Sequence, residues 1–158
     1  MSTEKNLSLD GKWSTFYLAG EMFAVPVADV QEVLMHQPLT PVPLAPEHIV
    51  GLLNLRGHIM PAIDLRRRLR FPIRDASASS TFLVLKSDDK LFSVVVDEIG
   101  DVLELPGSSW RPPPDTVGAE HVSFVLGICP IEGHMVIGLR VAALVADDEP
   151  RTGSQAAA

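Results

Sequence analysis

The segment FAVPVADVQEVL at residues 23–34 returns almost in step at residues 92–103, where the chain reads FSVVVDEIGDVL. A phenylalanine, two valines, an acid, a β-branched residue, a second acid and a closing Val-Leu pair recur without a gap. The leading apolar residues alternate, as Phe92, Val94 and Val96 do, which is typical of a strand with one buried face. The repeat favours an internally duplicated β protein; a chance likeness between two hairpins is the alternative.

A glycine pattern extends the repeat. Gly51 stands six residues before Gly57, and Gly127 stands six residues before Gly133, with a histidine after the second glycine in both copies. The duplication predicts two similar small β-barrels, which must pack on each other through apolar faces because each alone buries too little surface. The seam between two such halves is also where a groove for a partner can form.

The composition predicts a soluble protein made of one domain or two very small subdomains. Of the 158 residues 46% are apolar, which is enough for a core, and the formal net charge is −7. This charge repels phosphate backbones and anionic headgroups, which argues against nucleic acid or lipid as the main ligand. The single cysteine, Cys129, cannot form a disulfide within the chain, and residues 1–12 lack the apolar segment of a signal peptide, so we expect a cytoplasmic protein.

Short apolar or alternating runs, separated by turn residues, predict a chain made mostly of strands. These runs occupy residues 13–18, 22–27, 49–55, 58–63, 82–86, 91–96, 102–105, 122–126 and 135–139. Apolar spacing predicts short helices at residues 30–34, 64–70 and 140–146. Residues 1–10 and 148–158 are expected to be flexible ends of a single domain at residues 11–147.

Charged residues near these helices have structural explanations. Asp64 is predicted to cap the helix at 64–70. The arginines of that helix are predicted to form its wet face; they are Arg66, Arg67, Arg68 and Arg70. Acids of both copies are predicted to lie in first helical turns, where they complement the helix dipole; they are Asp29, Glu32, Asp97, Glu98 and Asp101.

The sequence contains no recognisable catalytic or metal-binding constellation. It lacks a G-x-S-x-G elbow, an H-E-x-x-H or C-x-x-C motif and a phosphate-binding glycine loop, and its histidines stand apart. Cys129 lies in an apolar run, which predicts a buried side chain. We therefore predict no enzyme activity, no cofactor and no metal. A small β-barrel enzyme or ligand-binding protein is the competing hypothesis, and it would need a polar pocket in the seam.

Residues 51–66, GLLNLRGHIMPAIDLR, predict a tight hairpin. Gly57 can adopt the positive φ that a two-residue hairpin turn needs. Arg56 then projects from the tip, where its guanidinium suits a carboxylate on a partner; a solvated surface arginine is the alternative. The second copy has Glu132 before Gly133, so the hairpin itself does not require the arginine.

This hairpin, with its NLRG turn and PAIDLR end, resembles the CheW family of chemotaxis coupling proteins. The segments FYLAGEMFAVPVADVQEV, VVVDEIGDVLEL and LGICPIEGHMVIGL are similar to further parts of that family, so the resemblance covers residues 13–146. It implies a mainly β fold of two tandem SH3-like five-stranded β-barrel subdomains, intertwined and packed through an apolar interface, with short helices.

The resemblance also implies a function. Members couple the cytoplasmic tip of a chemoreceptor, a methyl-accepting chemotaxis protein, to the regulatory domain of the chemotaxis histidine kinase, and have no activity or cofactor of their own. The chain would be a cytoplasmic adaptor recruited to receptor arrays at the inner face of the membrane, with no nucleic-acid ligand and no membrane insertion. The implied partner-binding residues are Arg56, Asn54, Gly51, Val27, Val30, Gln31, Glu32, Val94, Val96 and Ile99. Of these, Val94, Val96 and Ile99 would line a groove for the receptor helix.

Departures from the family leave the pathway open. Arg140 stands where many relatives have Asp or Asn, and the Cys129-Pro130 pair is unusual for the closing hairpin. The chain could serve a non-flagellar pathway that controls type IV pilus twitching or cyclic-dinucleotide output. It could also be a decoy adaptor that binds the kinase but not the receptor.

Overall fold

The structure is a computed structural model that describes residues 11–72, 81–115 and 123–146. The strands in these ranges are β1 Gly11–Leu18, β2 Glu21–Pro26, β3 Val30–Met35, β4 Ile49–Leu55, β5 His58–Asp64, β6 Thr81–Ser87, β7 Lys90–Val96, β8 Glu98–Leu105, β9 Val125–Ile131 and β10 His134–Leu139. The helices are α1 Leu65–Arg68 and α2 Val141–Ala146, with 3₁₀ turns at Val27–Asp29 and Gly107–Ser109. The predicted flexible ends lie outside the described residues.

Most elements were predicted correctly, and three predictions were wrong. The segment predicted as a helix at residues 30–34 is strand β3. Every second side chain turns inward, which is the period of a strand and not of a helix. Glu32, Glu98 and Asp101 therefore lie in strands and not in first helical turns. The strand predicted at residues 122–126 is displaced, since β9 begins at Val125 and includes the Cys129-Pro130 pair.

The strands form two five-stranded sheets. The terminal sheet, which we define by the order β8-β1-β2-β10-β9, contains the first and last strands of the chain. The central sheet, β3-β6-β7-β5-β4, contains the five strands between them. In both sheets the neighbours are antiparallel except for one parallel pair, β2 with β10 and β5 with β7.

The strand orders confirm the duplication seen in the sequence. If β1–β5 is one copy and β6–β10 the other, replacing each strand by its counterpart converts one sheet order into the other. Each sheet takes two strands from one copy and three from the other. The two subdomains are therefore intertwined, and the chain crosses between sheets once after β2 and once after β7.

The largest part of the core lies between the two sheets. Phe16 and Phe23 of the terminal sheet are stacked with ring centroids 5.9 Å apart, in one buried cluster with Leu83 and Phe92 of the central sheet. Alternate residues on the same strands face smaller clusters, such as the one around Trp13, which contains buried Cys129. Because burying an apolar side chain stabilises a fold by about 1.5–3 kcal/mol, this seam holds the sheets together. The predicted apolar interface is confirmed.

Asp64 caps α1 as predicted, because its Oδ1 accepts a hydrogen bond from the backbone N–H of Arg66 at 3.1 Å. The predicted wet face is wrong for two of the arginines that follow. Arg66 has a side chain only 15% exposed, which binds Asp97 of the second crossover through two hydrogen bonds of 3.0 and 2.7 Å. Arg68 lies over the Phe124 ring at 4.9 Å and donates to carbonyl oxygens of α2.

Candidate functional site

The turn between β4 and β5 is the two-residue hairpin predicted from the sequence. Arg56 and Gly57 both have positive φ, 52° and 87°, the combination that matches the twist of the flanking strands. Oδ1 of Asn54 accepts a hydrogen bond of 3.0 Å from the Gly57 backbone N–H. Asn54 therefore supports the turn from within, and the turn presents the Arg56 side chain, which is 69% exposed.

The guanidinium of Arg56 already holds a carboxylate, and that carboxylate is Glu32 of the same chain. Nη1 donates to Oε1 at 3.0 Å and Nη2 donates to Oε2 at 2.8 Å. Two parallel charge-assisted bonds of this kind fix orientation more strongly than a single contact. Sequence reasoning placed both residues at the site but did not pair them.

This ion pair joins the two edges of the central sheet. Glu32 lies on β3 and Arg56 directly follows β4, and these strands are at opposite ends of the sheet order. A backbone bridge between Thr40 and Leu52 ties β4 to the connection that follows β3. In the terminal sheet the backbone bridge recurs between Arg111 and Ile128. The ion pair does not recur there, because the aligned residues are Asp101 and Glu132.

The exposed pair predicts a measurable titration effect. Hydrogen bonding from Arg56 lowers the pKa of Glu32, and the same bonds raise the pKa of Arg56. The carboxylate thus contributes stability above its unfolded pKa and loses it as the pH falls through the lower folded value. Carbon-detected NMR titration should show the Glu32 pKa rising in Arg56→Ala. An unshifted Glu32 would mean that the two side chains do not pair in solution.

Exposed apolar side chains occur at matching places on the two sheets. On the central sheet Val33 is 43% exposed and Ile59 is 65% exposed. Their counterparts in the repeat, Val102 and Met135, are 58% and 46% exposed on the terminal sheet. Sequence reasoning missed this surface, although the recurrence of apolar residues at outward positions of both copies was a usable signal. Contiguous exposed apolar residues mark interaction sites more often than chance.

Three further predicted site residues lie beside this surface. Val27 begins the 3₁₀ turn after β2 and is half-buried. Val30 packs against the core, and Gln31 on β3 is exposed. The same 3₁₀ turn contains Asp29, whose pKa is raised by burial.

Gly51 has a structural reason to be glycine. A Cβ added there would lie 2.9 Å from the Leu39 Cβ and 3.0 Å from the Thr40 carbonyl oxygen. The aligned Gly127 meets the Arg111 carbonyl oxygen at 2.8 Å in the same way. Both glycines let the preceding connection bridge to the strand. Gly51 is buried, so its backbone position rather than a side chain is what the site uses.

The predicted receptor groove requires a correction. The side chains of Val94 and Val96 are 0% and 1% exposed and belong to the core between the sheets. They face this core because the terminal sheet packs on the face of β7 that carries them. Ile99 of β8 packs against the same core and is half-buried. A partner helix therefore cannot contact Val94 or Val96 without opening the core.

Within residues 11–72, 81–115 and 123–146, no three His, Cys, Asp or Glu side chains are grouped as metal ligands would be. The thiol of Cys129 is buried, and this burial raises its pKa. Among the described helices, none has the length and apolar character needed to cross a membrane.

The CheW-like domain family model matches residues 12–149 of this chain. This chain belongs to the CheW-like domain family. The chemotaxis protein CheW of Rhizobium meliloti is 29% identical over 84% of this chain and 86% of its own length. Protein FrzA of Myxococcus xanthus is 30% identical over 70% of this chain and 68% of its own. The crystal structure of the scaffolding protein TtCheW from Thermoanaerobacter tengcongensis covers 90% of this chain and 97% of its own, with a TM-score of 0.81 and 30% identity.

The match to TtCheW confirms the predicted fold class of two five-stranded subdomains. The surface features described above are the Arg56–Glu32 pair and the exposed apolar residues at matching places on the two sheets. Sequence reasoning found the arginine and the acid from the family resemblance. It missed the Arg66–Asp97 contact, although Asp97 breaks the repeat where the first copy has Ala28.

Proposed function

We propose that this CheW-like protein is a coupling adaptor, without catalytic activity, that joins a chemoreceptor to a chemotaxis-type histidine kinase. The observation that carries the proposal is the Arg56–Glu32 pair at the tip of the central sheet. The fold does not require it, since the terminal sheet also has a two-residue hairpin turn at the aligned place, and the residues aligned with the pair there are both acids. A charged pair that the scaffold can do without is best explained by recognition.

The receptor contact is proposed to lie around this pair. Gln31 precedes Glu32 on β3 and is exposed, and the Arg56 side chain is more exposed than that of Glu32. A carboxylate or a backbone carbonyl of the receptor's helical tip can compete with Glu32 for the guanidinium, because Glu32 and Arg56 are paired in an exposed and therefore weak setting. Receptor binding would thus exchange one partner of Arg56 for another.

The kinase contact is proposed to use the exposed apolar residues of the two sheets. Apolar surfaces of two domains can pack on each other as the two sheets do within this chain. On the central sheet, Val33 directly follows Glu32 and Ile59 lies three residues after Arg56, so the Arg56 side favours a partner surface with an acidic rim. On the terminal sheet, Val102 directly follows Asp101 and Met135 lies three residues after Glu132 of the turn, so this surface favours a basic rim.

The protein is proposed to act at receptor arrays on the inner face of the membrane. A match to FrzA as well as to CheW leaves both flagellar and other chemosensory pathways open to the proposal. The decoy variant of the adaptor, which binds the kinase alone, is separated from the coupling adaptor by measuring each binding event on its own.

The change Arg56→Ala tests the proposal. Binding of the intact protein to a receptor cytoplasmic fragment, and separately to the kinase regulatory domain, is measured by titration calorimetry, and receptor-stimulated kinase activity by phosphate release. We expect kinase stimulation to fall about tenfold or more, the loss that follows when a buried charge-assisted contact is removed from an interface. The melting temperature should change little, since exposed turn residues contribute little to stability.

Glu132→Ala is the matched control, because it removes a charge from the aligned turn position of the other sheet. It should leave receptor binding intact. Equal kinase stimulation by wild-type protein and Arg56→Ala would contradict the role of Arg56. Failure of the wild-type protein to bind either partner would contradict the adaptor function as a whole.

A further inference from the structure

A pocket of about 390 Å³ lies beside α1, away from the residues assigned to partner binding. It is lined by Glu47 and His48, by Arg67, Arg68 and Arg70, and by Phe71. The His48 carbonyl oxygen accepts a hydrogen bond of 2.8 Å from the Asp64 backbone N–H, which ties the loop before β4 to the start of α1. The wall of the pocket is thus anchored to the fold on both sides.

The lining is cationic in a chain whose net charge is −7. Of the three lining arginines, Arg68 donates to carbonyl oxygens of α2, while Arg67 and Arg70 lie beside the one lining carboxylate, that of Glu47, which is 79% exposed. Arg67 makes two long contacts with carboxylates, 3.3 Å from Nη1 to Glu47 and 3.3 Å from Nε to Asp64. Because the Glu47 contact is long and exposed, it is weak, and an anion in the pocket can replace Glu47 as the acceptor of Nη1.

The duplicated half of the molecule provides an internal comparison. The loop anchor recurs there, since the Phe124 carbonyl oxygen accepts from the Arg140 backbone N–H at 2.8 Å. The residues aligned with Glu47, His48, Arg67, Arg68 and Arg70 are Ser123, Phe124, Ala143, Leu144 and Ala146, none of which is charged. The fold therefore forms this corner without any arginine, and the cationic pocket belongs to one half only.

We infer that this pocket binds a phosphate-bearing small molecule. An arginine guanidinium can donate two parallel hydrogen bonds to the oxygens of one phosphate. The single carboxylate of Glu47 at the rim leaves room for such contacts. The volume is in the range of small-ligand sites, so it can accept more than an isolated inorganic ion. The Phe71 side chain supplies an apolar wall, fixed by an edge contact with Phe23 at a centroid distance of 6.0 Å. A phosphorylated compound with a flat organic part, of the nucleotide class, fits these features.

The probes are pyrophosphate, ATP and citrate, each added to the full chain at low ionic strength. Binding is measured by calorimetry and by NMR chemical shifts of the backbone amides of His48, Arg67 and Arg70. Saturable binding of pyrophosphate and tighter binding of ATP are expected. Arg70→Gln should weaken both about tenfold, the usual loss for one charge-assisted contact. Arg70 is exposed, so this variant should fold normally. Arg67→Gln is the second variant, and Arg56→Gln, which removes the same charge outside the pocket, should bind as the wild type does.

Absence of saturable binding would overturn the inference, as would equal affinities in the Arg56→Gln, Arg67→Gln and Arg70→Gln variants. Citrate binding as tight as that of pyrophosphate would overturn the assignment to phosphate, because the pocket would then recognise charge alone. None of these outcomes depends on receptor or kinase binding, so the pocket inference and the adaptor function are tested independently.

Discussion

The change Asp97→Ala is expected to lower the free energy of unfolding by about 3 kcal/mol, as removal of one partner from a largely buried ion pair does. Both Asp97 oxygens accept bonds from Arg66, and Oδ2 also accepts from the Ala19 backbone N–H at 2.9 Å. The two side chains are only 15% and 19% exposed, so the alanine variant leaves the poorly solvated Arg66 guanidinium without its carboxylate partner. Asp97 is also where the chain crosses from the central to the terminal sheet, so the loss affects both.

Chemical denaturation measures this effect, with Asp101→Ala as the matched control because Asp101 is an exposed acid on the following strand. The control should change stability by less than about 0.5 kcal/mol. Arg66→Ala and the double variant complete a cycle, in which a coupling free energy near zero would show that the contact does not stabilise the fold. The hydrogen bonds that Arg66 donates to Asp97 raise the pKa of Arg66, so its guanidinium stays charged.

The change Gly51→Ala is expected to destabilise the protein by about 2–3 kcal/mol, because overpacking against backbone forces a shift. The new methyl group would overlap the Leu39 Cβ and the Thr40 carbonyl oxygen. The Thr40–Leu52 bridge, with hydrogen bonds of 3.0 and 2.8 Å, would then open. Since Leu52 lies on β4, which leads into the turn that carries Arg56, the Arg56–Glu32 pair should be weakened with it.

Gly57→Ala is the matched control, because a Cβ there meets nothing within 4 Å and only the positive φ of 87° is unfavourable. That backbone strain costs about 1–2 kcal/mol. Thermal unfolding should therefore rank Gly51→Ala below Gly57→Ala. A Gly51→Ala variant as stable as the wild type, yet unable to bind partners, would instead make Gly51 a contact residue.

The sequence predicted the strands and the hairpin turn well, because both depend on neighbours in the chain. Alternating apolar residues and the positive φ of Gly57 need no knowledge of the rest of the molecule. The helix predicted at residues 30–34 was wrong because the spacing of Val30, Val33 and Leu34 fits the face of a helix as well as a strand. Only pairing with β6 shows that Val30 and Leu34 turn inward while Val33 faces solvent.

The candidate site was predicted in part. The resemblance supplied Arg56 and Glu32, but their contact joins residues 24 positions apart across two sheet edges, and no local pattern encodes it. An alternating strand pattern did not reveal how deeply Val94 and Val96 are buried, because their face of β7 is covered only once the terminal sheet packs on it. Arg66 was predicted to face solvent for the same reason, since its partner Asp97 lies at the second crossover, far along the chain.

The exchange of strands between the two sheets has a consequence for how the protein is made. The central sheet is one continuous stretch, from Val30 to Val96, and can form as soon as that stretch has left the ribosome. Strands β1 and β2, synthesised earlier, must wait for β8 and β10 before they have neighbours on both sides. Pairings of such long sequence separation form slowly, and the apolar seam stays open meanwhile. Strands β1 and β2 are therefore among the last described strands to gain all their neighbours, and a chain that ended before β8 would expose them.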